Sequence, residues 1–264
     1  MKVLLTGAGG FVGKNVAAAI IRGTPWELTT LDRAAHDLKD PLELPTAFDL
    51  IIHAAANPSA KECIEEPTRA FNDNILGTFN VLEFARKTGV KNFVYFSSCE
   101  VYADRSLDAV ESDRTSAHNM YGASKLCGEH MCEAYAKSYG INCLVVRLLN
   151  TWGPHCQPQR FPSIIRRKFE TEECPHFVLE TASRKRWLYI ETMAERLIKL
   201  IGKWPSDKFT VFNMVGDESL QLHEFISKFG TNFTYEYKTR EHAAGYLPEM
   251  NAEGSKLAEY FTTC

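Results

Sequence analysis

The run Gly7-Ala-Gly-Gly-Phe-Val-Gly13 constrains this chain more than any other segment. It follows an apolar stretch over residues 2–5 and opens an Ala/Ile-rich helical pattern over residues 13–22; residues 27–31 then read as a second strand. A βαβ unit is the simplest structure with that order. Glycines at a strand-to-helix turn let the backbone approach a diphosphate. The helix N-terminus behind them offers unpaired N–H groups and a partial positive charge. Turns are glycine-rich for steric reasons alone, so it is the strand-turn-helix context that carries the reading. Asp32 closes the second strand at the distance where a carboxylate accepts hydrogen bonds from an adenosine ribose and repels a 2′-phosphate, which favours NAD over NADP. Arg33 is the opposing signal, because a guanidinium there could receive that phosphate.

The alternation continues along the chain. Residues 50–53 read as a strand, 68–88 as a helix, 93–96 as a strand, 121–139 as a helix and 142–148 as a strand. Strands alternating with helices of this length predict an α/β fold, a Rossmann-type doubly wound parallel sheet with ligands at its carboxyl edge. Beyond Asn150 the rhythm changes: Pro154, Pro158, Pro162 and Pro175 interrupt it, and basic clusters appear at 166–168 and 184–186. The expected organisation is a dinucleotide-binding domain over residues 1–153 and a reduced substrate-binding lobe over 154–264, with some segments returning to the first domain.

Tyr121-Gly-Ala-Ser-Lys125 sets a phenol and an ammonium four residues apart on one helix face, within reach of a single reacting group. A nearby ammonium stabilises phenolate and is expected to lower the tyrosine pKa from about 10 towards the working range of a general base. Such a pair is surface decoration on most helices. Here Phe93-Val-Tyr-Phe-Ser-Ser-Cys-Glu-Val-Tyr102 runs off a buried strand into two hydroxyls and a carboxylate, at the edge where such a sheet carries its site.

Taken together, these segments resemble the extended short-chain dehydrogenases/reductases, in their NAD-dependent nucleotide-sugar epimerase/dehydratase branch. The resemblance runs through Thr6-Gly7-x-x-Gly10-x-x-Gly13, Asp32, Asp37-Leu38, His53-Ala-Ala-Ala56, Asn74-Ile-Leu-Gly77-Thr78, Ser97-Ser-x-Glu-Val-Tyr102, Tyr121-x-x-x-Lys125 and Arg147-Leu-Leu-Asn150-x-x-Gly153-Pro154. It implies NAD as cofactor, held by Gly7, Gly10, Phe11, Val12, Gly13, Asp32, Arg33, Asp37, Leu38, Ala54, Ala55 and Lys125. Tyr121 becomes the base on a sugar hydroxyl, Lys125 its partner and a ribose ligand, and Ser98 a hydrogen-bond partner of the same oxygen. Asn150 is expected on the diphosphate of a nucleotide-linked sugar, with Arg184, Lys185, Arg186 and Arg240 as further substrate contacts.

The implied chemistry is oxidation at the sugar C4 to a 4-keto intermediate. Glu100 stands where relatives that dehydrate or decarboxylate carry a glutamate able to act at C5. Cys99 replaces the acid that the fullest dehydratases place beside it. The stretch from His53 to Thr78 looks more like the 4-epimerases. A nucleotide-sugar 4-epimerase is therefore the leading expectation, ahead of a 4,6-dehydratase or decarboxylase using Glu100, and of a 4-ketosugar reductase. An NAD-sensing regulator without catalysis would have lost part of the Ser98, Tyr121 and Lys125 set, which is present. The helix at 68–88 carries apolar residues on more than one face (Phe71, Ile75, Phe79, Leu82), and relatives pair it with the helix at 121–139 across a two-fold axis, which implies a homodimer that covers the surplus face.

Composition excludes other classes. A net charge of −3 over 264 residues gives no field for nucleic acid or an anionic membrane, and neither basic cluster is interleaved with aromatics. Eight cysteines without CxxC or Cys/His ligand spacing predict free thiols rather than a zinc site or disulfide framework. With no signal-peptide pattern and no stretch of membrane-spanning length, a cytoplasmic location is the expectation.

Overall fold

The computed structural model describes residues 1–45, 47–103, 108–179, 184–237 and 251–263. Six parallel strands form the central sheet: β1 (Lys2–Thr6), β2 (Glu27–Leu31), β3 (Leu50–His53), β4 (Asn92–Ser98), β5 (Asn142–Leu148) and β6 (Phe209–Met214). Their order across the sheet is β6-β5-β4-β3-β1-β2. The chain steps outward from β1 to β2 and then back across to β3, so the direction of winding reverses between β1 and β3. That reversal opens the crevice where α/β sheets bind ligands. A Rossmann-type doubly wound sheet is thus present, one strand wider than the five strands legible in the sequence, with β2 rather than a further strand at one edge.

Both sheet faces are buried, which is why the strands read as near-continuous apolar runs. Val3, Leu5, Leu50, Ile52, Val94, Phe96, Leu144 and Val146 face one core. Helices α1 (Phe11–Gly23) and, later in the chain, Ile190–Gly202 cover that side. The alternate residues Leu4, Ile51, Phe93, Tyr95, Cys143 and Val145 face the other core, beneath α2 (Gly77–Thr88) and α3 (Met120–Tyr139). Each fully buried Leu or Ile contributes about 1.5–3 kcal/mol.

The helix expected over 68–88 is continuous from Pro67 to Thr88, but it is not regular throughout. Two short helices, Ala60–Glu65 and Pro67–Ala70, lead into a π-helical turn at Phe71–Leu76, and only then does α2 run regularly. Pro67 starts the second short helix, where its missing N–H costs nothing. The turn carries Asn74 inward, and its side chain spans two elements: Oδ1 accepts from Asn57 N at 2.7 Å and Nδ2 donates to Ser124 Oγ at 2.9 Å. Single π turns recur at functional sites.

Of residues 154–264, those from Leu188 to Met214 pack against the sheet, together with the helix Ser255–Thr263. The described stretches between residues 161 and 179 and between 220 and 233 build a small lobe around Ile165, Phe177, Leu179, Leu222, Phe225 and Ile226. Trp187 stacks flat on Phe225 at 3.9 Å between centroids, and Trp152 meets the same ring edge-on at 5.3 Å. Among the described residues, no helix is long and apolar enough to cross a membrane. Seven cysteines among the described residues are free.

Candidate active site

The glycine turn has the geometry that its sequence requires. Gly7 sits at φ +71°, a left-handed conformation, and a Cβ on it would lie 2.5 Å from the backbone nitrogen of Ala55. A Cβ on Gly13 would lie 2.1 Å from the carbonyl oxygen of Gly7. Both positions therefore exclude any other residue. Gly10 caps α1 without a side chain, no acid stands in the helix's first turn, and Ala54 N donates to Thr6 O at 3.2 Å, drawing the end of β3 against the turn. An anion cradle of bare backbone beside a helix N-terminus fits the diphosphate of NAD. Phe11 contributes only backbone here, because its side chain is packed into the core; Val12 is half-buried behind it. Asp32 ends β2 exposed, its Oδ1 accepting from Ala35 N at 3.1 Å, and a Cβ on Gly9 would lie 3.8 Å from its other oxygen. Asp37 is held by the N–H of Lys39, which keeps its carboxyl below the usual range. Leu38 is fixed through its carbonyl, which accepts from Asn80 Nδ2 at 2.8 Å. Arg33 is drawn aside into an ion pair with Asp73 at 2.6 Å.

Four contacts set the catalytic helix against the sheet edge. Asn119 caps α3 by accepting from Gly122 N at 2.8 Å, and Gly122 is bare because a Cβ there would lie 2.6 Å from the Glu100 carbonyl oxygen. Gly128 leaves room for the Tyr95 hydroxyl, which a Cβ would meet at 2.2 Å, and that hydroxyl donates to Lys125 O at 3.4 Å. The first turn of α3 is thereby pressed onto the end of β4. Tyr121 comes near Ser98, which favours its phenolate, and Ser98 Oγ accepts from Glu100 N at 3.2 Å. Lys125 is buried; its Nζ donates to Phe96 O at 2.9 Å and stands 5.2 Å from the centre of the Tyr95 ring.

The electrostatics depart from the expectation that Lys125 would acidify Tyr121. Enclosure pushes the Tyr121 phenol up instead; the Ser98 hydroxyl and the charge of Arg160 oppose that rise. Lys125 spends its nearest donor on the Phe96 carbonyl, and burial lowers its own pKa to about 8, with Cys63 and Glu129 pulling it back up. Desolvation has won over the helix spacing: Lys125 is buried and Tyr121 half-buried.

Glu100 lies in the short turn Cys99–Val101, half-buried, its carboxylate accepting from Asn119 Nδ2 at 3.3 Å. Cys99 turns the other way: it is fully buried, its thiol donates to Arg147 O at 3.8 Å, and burial drives its pKa far up.

On the lobe side, Asn150 holds φ at +47°, a left-handed conformation that Asn tolerates better than most residues, and its buried Nδ2 has no hydrogen-bond partner. That amide donor is left available to a ligand or a water at the strand end. Arg184 is committed within the lobe, to Ser219 O at 2.5 and 3.1 Å and to Glu224 at 3.0 Å. Arg186 donates to Asp217 O at 2.8 Å. Strand alternation puts Lys185 on the face opposite both. Arg240 lies outside the described residues.

The sequence names His53, Thr6, Asn74 and Thr78 only as parts of motifs, without their connection, and does not single out Arg160. His53 is buried in a chain of hydrogen bonds: its Nδ1 lies 2.7 Å from Thr6 Oγ1 and its Nε2 3.0 Å from Thr78 Oγ1. Thr78 spends its one proton on Asn74 O at 2.6 Å, so it accepts from Nε2–H, and Nδ1 accepts from Thr6. Burial and the charge of Lys125 then hold His53 neutral, with a pKa of about 3. Arg160, next to Phe161 and Pro162, acts on Tyr121 from the start of the helix Phe161–Thr171. Proline at a helix start was the available signal for it.

A glycine turn of bare backbone at a winding reversal, with a tyrosine, lysine and serine gathered at the same sheet edge, is an arrangement that can hold a dinucleotide beside groups able to move a proton. The chain belongs to the NAD dependent epimerase/dehydratase family, whose model matches residues 3–214. It is 28% identical over 244 residues to a dTDP-glucose 4,6-dehydratase of Salmonella typhimurium, covering 75% of this chain and 67% of that one. A GDP-6-deoxy-D-mannose reductase of Pseudomonas aeruginosa is 33% identical over 162 residues, covering 58% and 53%. Among solved structures, the UDP-glucose 4-epimerase of Thermus thermophilus in complex with NAD superposes with a TM-score of 0.79 at 22% identity, covering 99% and 93%, and shares the fold. The protein is thus an NAD-dependent enzyme of the extended short-chain dehydrogenase/reductase type, within the group of nucleotide-sugar epimerases, dehydratases and reductases.

Proposed function

We propose that the chain inverts the C4 centre of a nucleotide-diphosphate sugar through a 4-keto form. Tyr121 takes the proton of the C4 hydroxyl, and Ser98 holds the same oxygen. Lys125 supplies positive charge beside them, while its bond to the Phe96 carbonyl steadies it. The bound NAD supplies the hydride acceptor and, for the return, the donor. Asn150 offers its unpartnered amide to the diphosphate. Proton control and positioning are the protein's share of the work.

The orientation of Cys99 carries the choice of epimerisation over dehydration. Loss of water from C5 and C6 needs an acid beside Glu100 to protonate the departing hydroxyl. The side chain at that position is a buried thiol, bonded to Arg147 O and held far above the range of a useful acid. Glu100, bonded to the cap residue Asn119, serves the helix terminus in this reading. Dehydration remains the second reading, favoured by a half-buried carboxylate two residues from Ser98. Product analysis with NAD and a panel of UDP-, GDP- and dTDP-sugars separates the two. Epimerisation predicts C4 epimers, lost in Tyr121→Phe and retained in Glu100→Gln. A 4-keto-6-deoxy product, lost in both variants, would establish dehydration.

We also infer a homodimer through the faces of residues 68–88 and 121–139. Phe71 and Phe79 are 49% and 42% exposed. An apolar groove of about 480 Å3 also runs along α3, lined by Ala123, Leu126, Cys127, Met131 and Ala134.

A further inference from the structure

We propose that Asp73 sets the preference for NAD over NADP by holding the Arg33 guanidinium away from the position of a 2′-phosphate. The proposal rests on the dinucleotide reading of the glycine turn and Asp32.

Arg33 directly follows Asp32 at the end of the edge strand β2. A guanidinium is a planar, bidentate phosphate ligand, and it is the obvious group in this corner to bind one. It does not stand free. Its Nη2 lies 2.6 Å from Asp73 Oδ1, and the Asp73 side chain is only 10% exposed, so this pair is screened on the carboxylate side. The other oxygen of Asp73 lies 3.5 Å from Nε of Arg69, whose Nη1 lies 3.5 Å from Glu62. Lys39, the other cation of the corner, lies 3.6 Å from Asp37. The cavity they share has a volume of about 590 Å3 and is lined by three bases and four acids. Each of these cations is therefore matched to a carboxylate, and Asp32 adds one more negative charge at the ribose position. A phosphate dianion entering here would have to break the Arg33–Asp73 pair and sit among the remaining acids. A 2′-hydroxyl meets no such cost. Asp73 comes from the π-helical turn, so the turn that seats Asn74 also sets cofactor preference.

Calorimetric titration of the full chain with NAD and with NADP tests this without any sugar substrate. The unmodified protein should bind NAD at least about tenfold more tightly. Asp73→Asn should strengthen NADP binding by about tenfold, the scale of one charge-assisted hydrogen bond, and leave NAD within about twofold. Adding Arg33→Ala should abolish that gain. Arg33→Ala alone keeps the test sound if the Asp73 variant folds poorly: a sequestered Arg33 predicts NADP affinity unchanged within about twofold. A clear fall in NADP affinity in that variant would overturn the proposal. So would an unchanged NAD/NADP ratio in a folded Asp73→Asn protein, or a gain that persists without Arg33. If neither dinucleotide binds, the reading of the glycine turn fails first.

Discussion

Tyr121 stands between influences of opposite sign. Enclosure raises its pKa, while the Ser98 hydroxyl and the Arg160 guanidinium stabilise phenolate. Arg160→Gln should therefore move the ascending limb of the pH–rate profile to higher pH, whereas a residue with only a structural role would lower the rate without moving the limb. Tyr121→Phe should reduce turnover by about a thousandfold, within the span of positioned acid–base groups, with the fold intact by circular dichroism. The buried bases add a signature in stability. Lys125 has a folded pKa of about 8 against 10.5 unfolded, so between those values the unfolded chain binds more protons and stability rises with pH. For His53, about 3 against 6.5, the same inequality holds in acid, and stability falls as pH drops through that window. Urea midpoints measured from pH 7 to pH 4 should show the decline, with a shallower slope in His53→Gln. Equal slopes would mean that the imidazole is not buried as described.

At the level of elements, the seating of α3 controls the site. One turn beyond Lys125, Glu129 accepts from Arg147 at 2.7 and 2.9 Å and from Ser97 Oγ at 2.5 Å, so helix, β4 and β5 meet in one buried pair. Removing one partner leaves an uncompensated buried charge. Arg147→Ala should cost about 3–5 kcal/mol by chemical denaturation, and pairing it with Glu129→Leu should recover part of that loss. Additive losses would contradict the pairing. The glycine turn makes an equally direct prediction: Gly13→Ala forces a Cβ into the Gly7 carbonyl, and NAD binding should be lost by calorimetry. This turn, the first five strands and the Tyr121/Lys125 helix were legible in the sequence, because each follows from local period or spacing. The π-helical stretch Phe71–Leu76 within the helix was not, because a π turn has no local pattern and is set by the contacts of Asn74. Nor was the direction of the Tyr121 shift, which depends on burial that spacing does not encode.

For the whole molecule, what escaped the sequence was long-range. β6 pairs with β5 from Phe209↔Cys143 to Met214↔Leu148, across a long stretch of intervening chain, and a strand of that kind is hard to tell from lobe structure in advance. The roles of the basic run at 184–186 were similarly hidden until antiparallel pairing with residues 219–221 separated Arg184 and Arg186 from Lys185. The exposed phenylalanines and the apolar groove on α3 belong to this scale too. Sedimentation velocity should give twice the chain mass, and Phe79→Glu with Ala134→Glu should give the monomer. A monomeric unmodified protein would refute that assembly.

In the proposed reaction, Tyr121 takes the proton of a sugar C4 hydroxyl that Ser98 holds beside bound NAD. Rapid mixing of the NAD-loaded protein with nucleotide sugars, followed by the absorbance of reduced nicotinamide, reads that step. With a competent sugar, a transient rise is expected in the unmodified protein and none in Tyr121→Phe, although both bind NAD equally. An equal signal from the two proteins would rule out Tyr121 as the base.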